Sequence, residues 1–299
     1  MRVTQNMLDR NMLFAMARNL EQLVKLNQQL GTGQRVNTVS DDVVAAGQAM
    51  RLQRENEQIA VYLGNMDSVD NMLSFATSTL GRASETIVRV KELAIQAATD
   101  TYTHTERQIM AEGVDQLLQT LLSLANVQNK GAYLFAGEAI HTAPFAATTD
   151  VTGTVLSVAY QGEVATTEVM VGPATTSQMN LVGQQVFQDD GDLFATVIGL
   201  RDAMRADDID EISRLIGELE TSHTDIRRSL GRLGERQAQL QVTRTSLGRL
   251  SDLNAQAITD RLDADVSELA VQYNSMMALM QMVVKVAAEG AVPSIIDFL

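Results

Sequence analysis

Apolar residues recur every seven positions from Leu52 onward, and this repeat limits the possible folds more than any other pattern in the chain. A helix with such a repeat carries one apolar stripe that is buried against partner helices. Only Glu55 breaks it. We predict one helix from about residue 42 to about residue 99, about 87 Å long at 1.5 Å per residue. The repeat consists of Leu52, Ile59, Met66, Leu73, Leu80, Ile87 and Ala94, interleaved with Tyr62, Val69, Ala76, Ala83, Val90 and Ala97.

Four further segments carry apolar stripes at helical spacing. A second helix is predicted from Met110, Val114, Leu117, Leu121 and Leu124. A third is expected to begin near Ile209, with its phase slipping between about Leu250 and Leu262, which indicates a bend or a change of packing partner. Its stripe consists of Ile212, Ile216, Leu219, His223, Ile226, Leu230, Leu233, Leu240 and Leu247. The terminal stripes are Leu13, Met16, Leu20, Leu23 and Leu30, with Asn27 also predicted to face inward, and Val266, Leu269, Tyr273, Met276, Met280 and Val283.

The two ends of the chain carry opposite charge. Residues 1–40 contain five Lys or Arg and two Asp or Glu, whereas residues 263–299 contain one Lys and five Asp or Glu. Opposite charge favours pairing of two amphipathic helices. Pairing alone would leave much of SMMALMQMVV, residues 275–284, in water, because Met277 and Met282 lie off the stripe. Such an apolar surface usually marks an interaction site, so we expect the paired ends to dock into a larger assembly.

The composition changes between the helical halves. Residues 131–200 contain no Lys or Arg, and TVLSVAY at 154–160 and VATTEVMV at 164–171 alternate apolar and polar residues around Gln161-Gly162. Alternation of this kind predicts two strands of a hairpin. We therefore predict a small β-rich domain inserted at residues 136–189. The alternative, an unstructured polar insert, stays open.

Composition argues against several classes of function. A net charge of −14 argues against a nucleic-acid partner, because phosphate binding needs clustered Lys and Arg. No cysteine is present for a disulfide or a thiolate ligand. The apolar run near residue 280 is too short to span a membrane and contains Lys285. Arg10 and Arg18 interrupt the first segment, so we expect no cleaved signal peptide.

Residue patterns for catalysis or metal binding are weak. The three histidines His104, His141 and His223 lie in separate segments without ligand spacing. His104 precedes Thr105-Glu106, which is typical of a capped helix start, and DDGD at 189–192 fits a helix cap better than a calcium loop. GTG at 31–33 lacks the spacing of a phosphate-binding loop. We expect no enzyme, no metal and no cofactor.

Several motifs resemble the flagellin superfamily of bacterial axial proteins, and in particular its hook-associated junction proteins. The resemblance rests on MRVTQNM at 1–7, LGTGQRVNTVSDD at 30–42, LANVQNKGAYLFAG at 124–137, TAPF at 142–145 and PSIIDFL at 293–299. GAYLFAG, TAPF and the final DFL are similar to the junction proteins and unlike flagellin. One departure is Val43, where the family commonly has Pro; a proline at the first helical position would stiffen that helix start.

The resemblance implies a mainly α fold, an elongated coiled-coil-like helical bundle formed by both chain ends, with a small inserted β-rich domain. The expected domains are residues 1–40 plus 262–299, 41–135 plus 190–261, and 136–189. The terminal stripes above would form the assembly interface. The expected interdomain turn consists of Gly31, Gly33, Arg35, Ser40, Asp41 and Asp42.

The implied function is that of an extracellular structural protein at the junction of hook and filament. Its partners would be neighbouring copies in a ring, an adjacent hook-associated junction protein, flagellin, and an export chaperone that binds the C-terminal helices. The alternatives are a flagellin-type filament subunit and a secreted coiled-coil adaptor or adhesin.

Overall fold

The computed structural model describes residues 2–290. These form two compact units. The first comprises the described residues up to Gln58 together with those from Arg249 onward, and the second comprises Ile59–Gly248. The described residues are mainly helical, as the sequence predicts. Their helices are α1 (Arg2–Thr32), α2 (Val43–Ala97), α3 (His104–Ala125), α4 (Gln184–Phe187), α5 (Leu193–Ala206), α6 (Ile209–Leu262) and α7 (Val266–Gly290).

Helix α2 confirms the prediction made from the seven-residue repeat. It begins at Val43 and ends at Ala97. Within the second unit, every repeat position from Ile59 to Ala97 is buried, and those from Met66 onward are fully inaccessible to solvent. The stripe packs with buried residues of α3, α5 and α6 in one continuous apolar core. Burial of this stripe is the main stabilising contribution to α2.

Helix α6 begins at Ile209, as predicted, and its buried stripe is rotated slightly from the expected one. Ser222 and Ser229 are buried, whereas His223 and Leu230 are half-buried. The helix continues through the predicted phase slip to Leu262. In that stretch the buried position is taken by a polar residue, Asn254, whose amide donates to Asn56 Oδ1 at 3.2 Å. The apolar phase is lost there because a polar contact between α2 and α6 replaces it.

The strands are present, but the predicted hairpin around Gln161-Gly162 is wrong. The segment between β4 and β5 bonds elsewhere: the N–H of Gln161 donates to the Pro144 carbonyl at 2.7 Å, and that of Glu163 to Ala136 at 2.9 Å. The antiparallel pairs are therefore β1 with β2, β3 with β4, and β5 with β6. The strands are β1 (Gln128–Asn129), β2 (Ala132–Tyr133), β3 (Phe145–Thr149), β4 (Val155–Tyr160), β5 (Glu168–Gly172) and β6 (Thr175–Gln178).

Aromatic side chains join the strand region to the helices of the second unit. Phe145 of β3 packs against Phe187 of α4 and Phe194 of α5, with ring centroids 5.5 Å and 5.0 Å apart. Phe135 and Tyr160 complete the cluster. These rings supply large buried areas in a chain that has only 4% aromatic residues. The insert is therefore packed onto the helices rather than unstructured.

A buried arginine ties the same region together. Arg201 of α5 is 1% exposed. Its Nη1 donates to Asp115 Oδ1 of α3 at 2.8 Å and to the Val155 carbonyl of β4 at 2.7 Å, while Nε donates to Asp202 at 2.8 Å. A buried charge is tolerated only when it is paired and hydrogen-bonded. Arg201 meets both conditions across three elements.

The first unit contains a second, smaller core. Val36, Ala45 and Ala46 are buried and pack with Leu262. In the same unit α1 packs against α7, as the opposite charges of the chain ends predict. Across residues 2–290, no helix combines the length and the apolar character that crossing a bilayer requires.

Candidate functional site

The paired helices α1 and α7 form one half of the candidate site. Met12, Met16 and Leu23 on α1 are half-buried, as are Tyr273 and Met276 on α7. Methionine adapts its shape to irregular gaps, which suits a contact in which three of these five side chains are methionine. A groove of about 420 Å³ remains open between the two helices. The two helices are thus in contact, but a groove between them remains unfilled.

Much of the apolar surface of these helices stays exposed after they pair. Leu13 is 67% exposed and Phe14 73% on α1, while Val271 is 66% and Met282 61% exposed on α7. Monomeric proteins rarely leave several large apolar side chains side by side in water. A surface of this kind is typical of a protein that packs against further copies or partners. Among the residues of the two helices whose burial is described, the other exposed large apolar ones are Met7, Leu20, Val24, Val266, Met277, Leu279 and Val284.

The predicted terminal stripes divide between the inner and outer faces of this pair. On α7, Leu269 is buried and Tyr273, Met276, Met280 and Val283 are half-buried, whereas Val266 is exposed. On α1, Met16, Leu23 and Leu30 are half-buried, but Leu13, Leu20 and Asn27 are exposed. Only part of each stripe therefore lies within the pair.

The second half of the site is the turn between α1 and α2, which binds to the end of α6. Gly33 adopts φ +70°, a conformation that favours glycine, and its N–H donates to the Gln29 carbonyl at 2.8 Å. The N–H groups of Arg35 and Val36 then donate to the Leu262 carbonyl at 2.7 and 3.2 Å. In return, Ala264 donates to the Gly33 carbonyl at 2.9 Å. Backbone hydrogen bonds thus join the turn after α1 to the end of α6 and the residues that follow it.

Two carboxylates order the rest of the turn. Asp41 Oδ2 accepts the N–H groups of Asn37 and Thr38 at 3.1 and 2.9 Å, and Lys25 Nζ lies 2.8 Å from its Oδ1. The Lys25 contact, followed by these backbone bonds, holds the pKa of Asp41 far below its usual range. Asp42 Oδ1 accepts the Ala45 N–H at 2.9 Å and caps α2, and this bond is the largest cause of its lowered pKa.

The remaining predicted turn residues lie close by. Arg35 reaches both sides of the turn, because its guanidinium lies 3.3 Å from Asp42 Oδ2 and donates to the Arg261 carbonyl at 3.0 Å. Ser40 Oγ is 2.9 Å from Thr38 Oγ1. Gly31 lies exposed in the last turn of α1.

Sequence reasoning missed three residues that hold this turn. Lys25 pairs with Asp41, Gln29 donates its amide to the Arg35 carbonyl at 2.7 Å, and Leu262 provides the shared carbonyl acceptor. Gln29 is buried within an otherwise partly exposed helix. A Gln near a helix end is the one local sequence signal for the role of Gln29. The contact of Leu262 with the turn joins residues far apart in the chain, so no local sequence signal indicates it.

The residues considered for chemistry have structural contacts. Asp192 of the DDGD segment caps α5 by accepting the N–H groups of Phe194 and Ala195 at 2.9 and 3.0 Å, as predicted. The predicted capped start of α3 is present, and its cap is Thr103, which forms a reciprocal capping box with Glu106. Among residues 2–290, no three His, Asp or Glu side chains are grouped so as to hold a metal ion.

Comparison with known proteins shows a similarity over the N-terminal part of the chain. Residues 3–139 match the bacterial flagellin N-terminal helical region. Over this N-terminal stretch the chain is similar to the flagellin superfamily. Relatives that it resembles include proteins named flagellar hook-associated protein 3. It is 27% identical over 188 residues to flagellar hook-associated protein 3 of Salmonella typhimurium, covering 62% of this chain and 57% of that protein.

A further relative and a solved structure are also similar to this chain. The chain is 32% identical over 143 residues to flagellar hook-associated protein 3 of Escherichia coli, covering 48% of this chain and 45% of that protein. It therefore spans about half the length of these two relatives. A crystal structure of flagellar hook-associated protein 3 from Legionella pneumophila superposes with a TM-score of 0.63 at 15% identity, covering 71% of this chain and 98% of that one. That likeness shows a shared fold. The PSIIDFL stretch at 293–299 lies outside the described residues.

Proposed function

We propose that this protein is a structural subunit of the bacterial flagellum, placed outside the cell between hook and filament, where it templates flagellin assembly. The observation that carries the proposal is the apolar surface that α1 and α7 leave exposed after pairing. A surface of this kind needs a partner. The similarity to proteins named flagellar hook-associated protein 3 supports the hook end as the place where partners meet.

The interface would consist of the predicted terminal stripes. Leu13 and Leu20 on α1 and Val266 on α7, which are exposed, would contact neighbouring copies in a ring. Tyr273, Met276 and Met280, which are half-buried, would close further as the copies pack. The full proposed set is Leu13, Met16, Leu20, Leu23, Leu30, Val266, Leu269, Tyr273, Met276, Met280 and Val283.

The turn would fix how the terminal helices are presented to those copies. Its backbone bonds to Leu262 and Ala264 and its two carboxylates support this role, because they hold α1, α2, α6 and α7 at one point. We assign the turn to Gly31, Gly33, Arg35, Ser40, Asp41 and Asp42. The domains would be residues 1–40 plus 262–299, 41–135 plus 190–261, and 136–189. No step of this role requires a catalytic residue.

Besides further copies, the proposed partners are an adjacent hook-associated junction protein and flagellin. An export chaperone would cover the C-terminal helices before assembly, because their apolar residues would otherwise be exposed in the cell. Export would proceed through the flagellum's own channel. These partners rest on the family resemblance.

A gene deletion tests the proposed place in the flagellum. We expect a non-motile mutant that releases unassembled flagellin, and labelled protein at the hook end of intact flagella. Normal filaments on the mutant would refute the junction role. A flagellin-type role would instead place label along the filament, and purified protein would form long filaments by itself.

An exposed substitution tests the interface. Leu20→Glu places a charge on the outer face of α1, where Leu20 is 53% exposed, so the monomer should fold as the wild type does. In cells that lack the native gene, we expect this variant to be exported but to fail to restore motility. Gln28→Glu adds the same charge at another exposed position of α1 and is the matched control. Equal motility with Leu20→Glu and wild type would contradict the interface.

A further inference from the structure

A small cavity in the second unit is lined by two arginines. It has a volume of about 50 Å³ and lies between α2, α6 and the segment that follows β6. Leu80, Val186 and Leu233 provide apolar walls, and Gln178 and Asn180 provide amides. Of the described residues that line it, none is acidic. In a chain with 37 Asp and Glu against 23 Lys and Arg, a basic cavity without a carboxylate is unexpected.

The two arginines, Arg232 and Arg236, lie one helical turn apart on α6, so they share a face. Neither is within 4.0 Å of a described carboxylate, whereas Arg201, Arg214 and Arg228 all form ion pairs. Arg236 is half-buried, and Gln178 Oε1 accepts a bond from its Nη2 at 2.5 Å. A neutral amide does not compensate a partly buried charge.

The lowered pKa of Arg236 is consistent with a partly buried guanidinium that has no carboxylate partner among the described residues. Burial is the largest cause of its lowered pKa, and the charge of Arg232 is the second. Both effects would be relieved by an anion at the guanidinium. The cavity thus holds positive charge that the described residues do not neutralise.

Arg236 also lines a second, adjacent cavity of about 30 Å³. The walls there include the hydroxyl residues Thr176, Ser177 and Thr243, and again no acidic residue among those described. Thr176 donates to Glu168 Oε2 at 2.7 Å and Thr243 donates to the Gln239 carbonyl at 3.0 Å, so an anion here would take its hydrogen bonds from Arg236 and from Ser177. Arg236 is therefore open to both cavities, with neutral polar residues on each side.

We propose that this pair of cavities binds the oxyanion head of a small molecule, a carboxylate or a phosphate, at Arg236 and Arg232. Guanidinium groups suit either head, because their planar donors match two acceptor oxygens at once. A volume of about 50 Å³ accommodates only a group the size of a few water molecules, so the rest of the ligand would lie outside. All residues that line the site belong to the second unit.

Nuclear magnetic resonance of the full chain tests the site. Arginine Nε–Hε signals are followed while sodium phosphate is added in one series and sodium acetate in another, with sodium chloride adjusted to hold ionic strength. We expect the Arg236 signal to shift and saturate. The anion that binds with the lower dissociation constant, phosphate or acetate, identifies the class of head group. Chloride alone should not produce a saturating shift.

Variants complete the test. Arg236→Gln should weaken binding about tenfold or more, because a charge-assisted bond is lost, and Arg232→Gln should weaken it less. Arg249→Gln removes an equal charge from an exposed position of α6 outside the cavity and should bind as the wild type does. Circular dichroism checks that each variant folds. Absence of a saturating shift in both series, or equal affinity of Arg236→Gln and wild type, would overturn the proposal.

Discussion

Lys25 Nζ lies 2.8 Å from Asp41 Oδ1, and this contact ties the third quarter of α1 to the turn that follows it. The same carboxylate accepts the N–H groups of Asn37 and Thr38, so one side chain fixes both a helix and a loop. These bonds give two loop N–H groups an acceptor that no helix or strand supplies. Asp41 is therefore the residue on which the order of this turn depends most.

Substitution Asp41→Asn should loosen the turn in a pH-dependent way. The pKa of Asp41 is lowered in the folded protein, so its carboxylate stabilises the fold fully above the unfolded-state pKa of about 3.9. That contribution is lost as the pH falls below this value towards the lowered pKa. We expect amide hydrogen exchange at Asn37 and Thr38 to be faster in Asp41→Asn than in wild type at pH 7. The difference should shrink below about pH 3.9.

Lys25→Met serves as the control for this prediction. It removes the charge but leaves the backbone bonds to Asp41. Protection from amide hydrogen exchange at Asn37 and Thr38 should therefore be lower than in wild type and higher than in Asp41→Asn. Protection in Asp41→Asn that equals wild type at pH 7 would show that the carboxylate does not order the turn.

Two glycines near the end of α1 should respond in opposite ways to alanine. Gly33 has φ +70°, so Gly33→Ala is expected to destabilise the protein by about 1–2 kcal/mol, although a Cβ there meets nothing within 4 Å. Gly31 lies in the helix, also with open space around it, so Gly31→Ala should be neutral or slightly stabilising. Denaturant unfolding followed by circular dichroism measures both. Equal loss in the two variants would refute the conformational explanation.

The helices could be predicted from the sequence because their signal is local and repeated. In α2 the same spacing recurs over many turns, and every repeat position from Ile59 to Ala97 is buried, with Thr79 and Thr86 buried beside the stripe. In α6 the prediction was off by one position at Ser222 and Ser229, because small polar residues were not counted as part of a buried stripe. Close helix packing accommodates a buried serine where periodicity favours a larger neighbour.

The strand pairing could not be predicted in the same way. FAATT in β3 has little alternation, yet it pairs with β4 because Phe145 is held in the aromatic cluster with Tyr160. In the turn, Asp42 was predicted as a turn residue, and its cap of α2 follows from local chemistry. The bond from Arg35 to the Arg261 carbonyl joins residues 226 positions apart, and no short segment encodes it. Long-range contacts of this kind need the folded chain.

Proline substitutions at the start of α2 provide a further prediction. Val43 occupies the first helical position and is 66% exposed, so Val43→Pro should stabilise the protein by about 0.4–1 kcal/mol by restricting the unfolded chain. Val44 is the matched control, because its N–H donates to Asp42 and a proline there would lose that bond. We expect the denaturation midpoint to rise with Val43→Pro and fall with Val44→Pro. A lower midpoint for both would contradict the assignment of the helix start.

His223 should make stability depend on pH near neutrality. Its Nε2 lies 2.8 Å from Ser84 Oγ, and burial is the largest cause of its lowered pKa. Arg227 and Lys91 lower the pKa further, whereas Glu220 opposes them. Because the unfolded state, with a pKa of about 6.5, binds the proton more readily, the contribution of His223 is present above that pH. It should be lost as the pH falls through 6.5 towards the lowered pKa.

The variant His223→Asn isolates this effect, because an amide can still bond to Ser84 but does not titrate. Free energies of unfolding of both proteins should be measured between about pH 5 and pH 8, on either side of the ordinary histidine pKa of about 6.5. We expect the wild type to lose stability relative to His223→Asn as the pH falls. If the two curves stay parallel, protonation of His223 is not coupled to folding, and its contact with Ser84 must hold equally well for the charged ring.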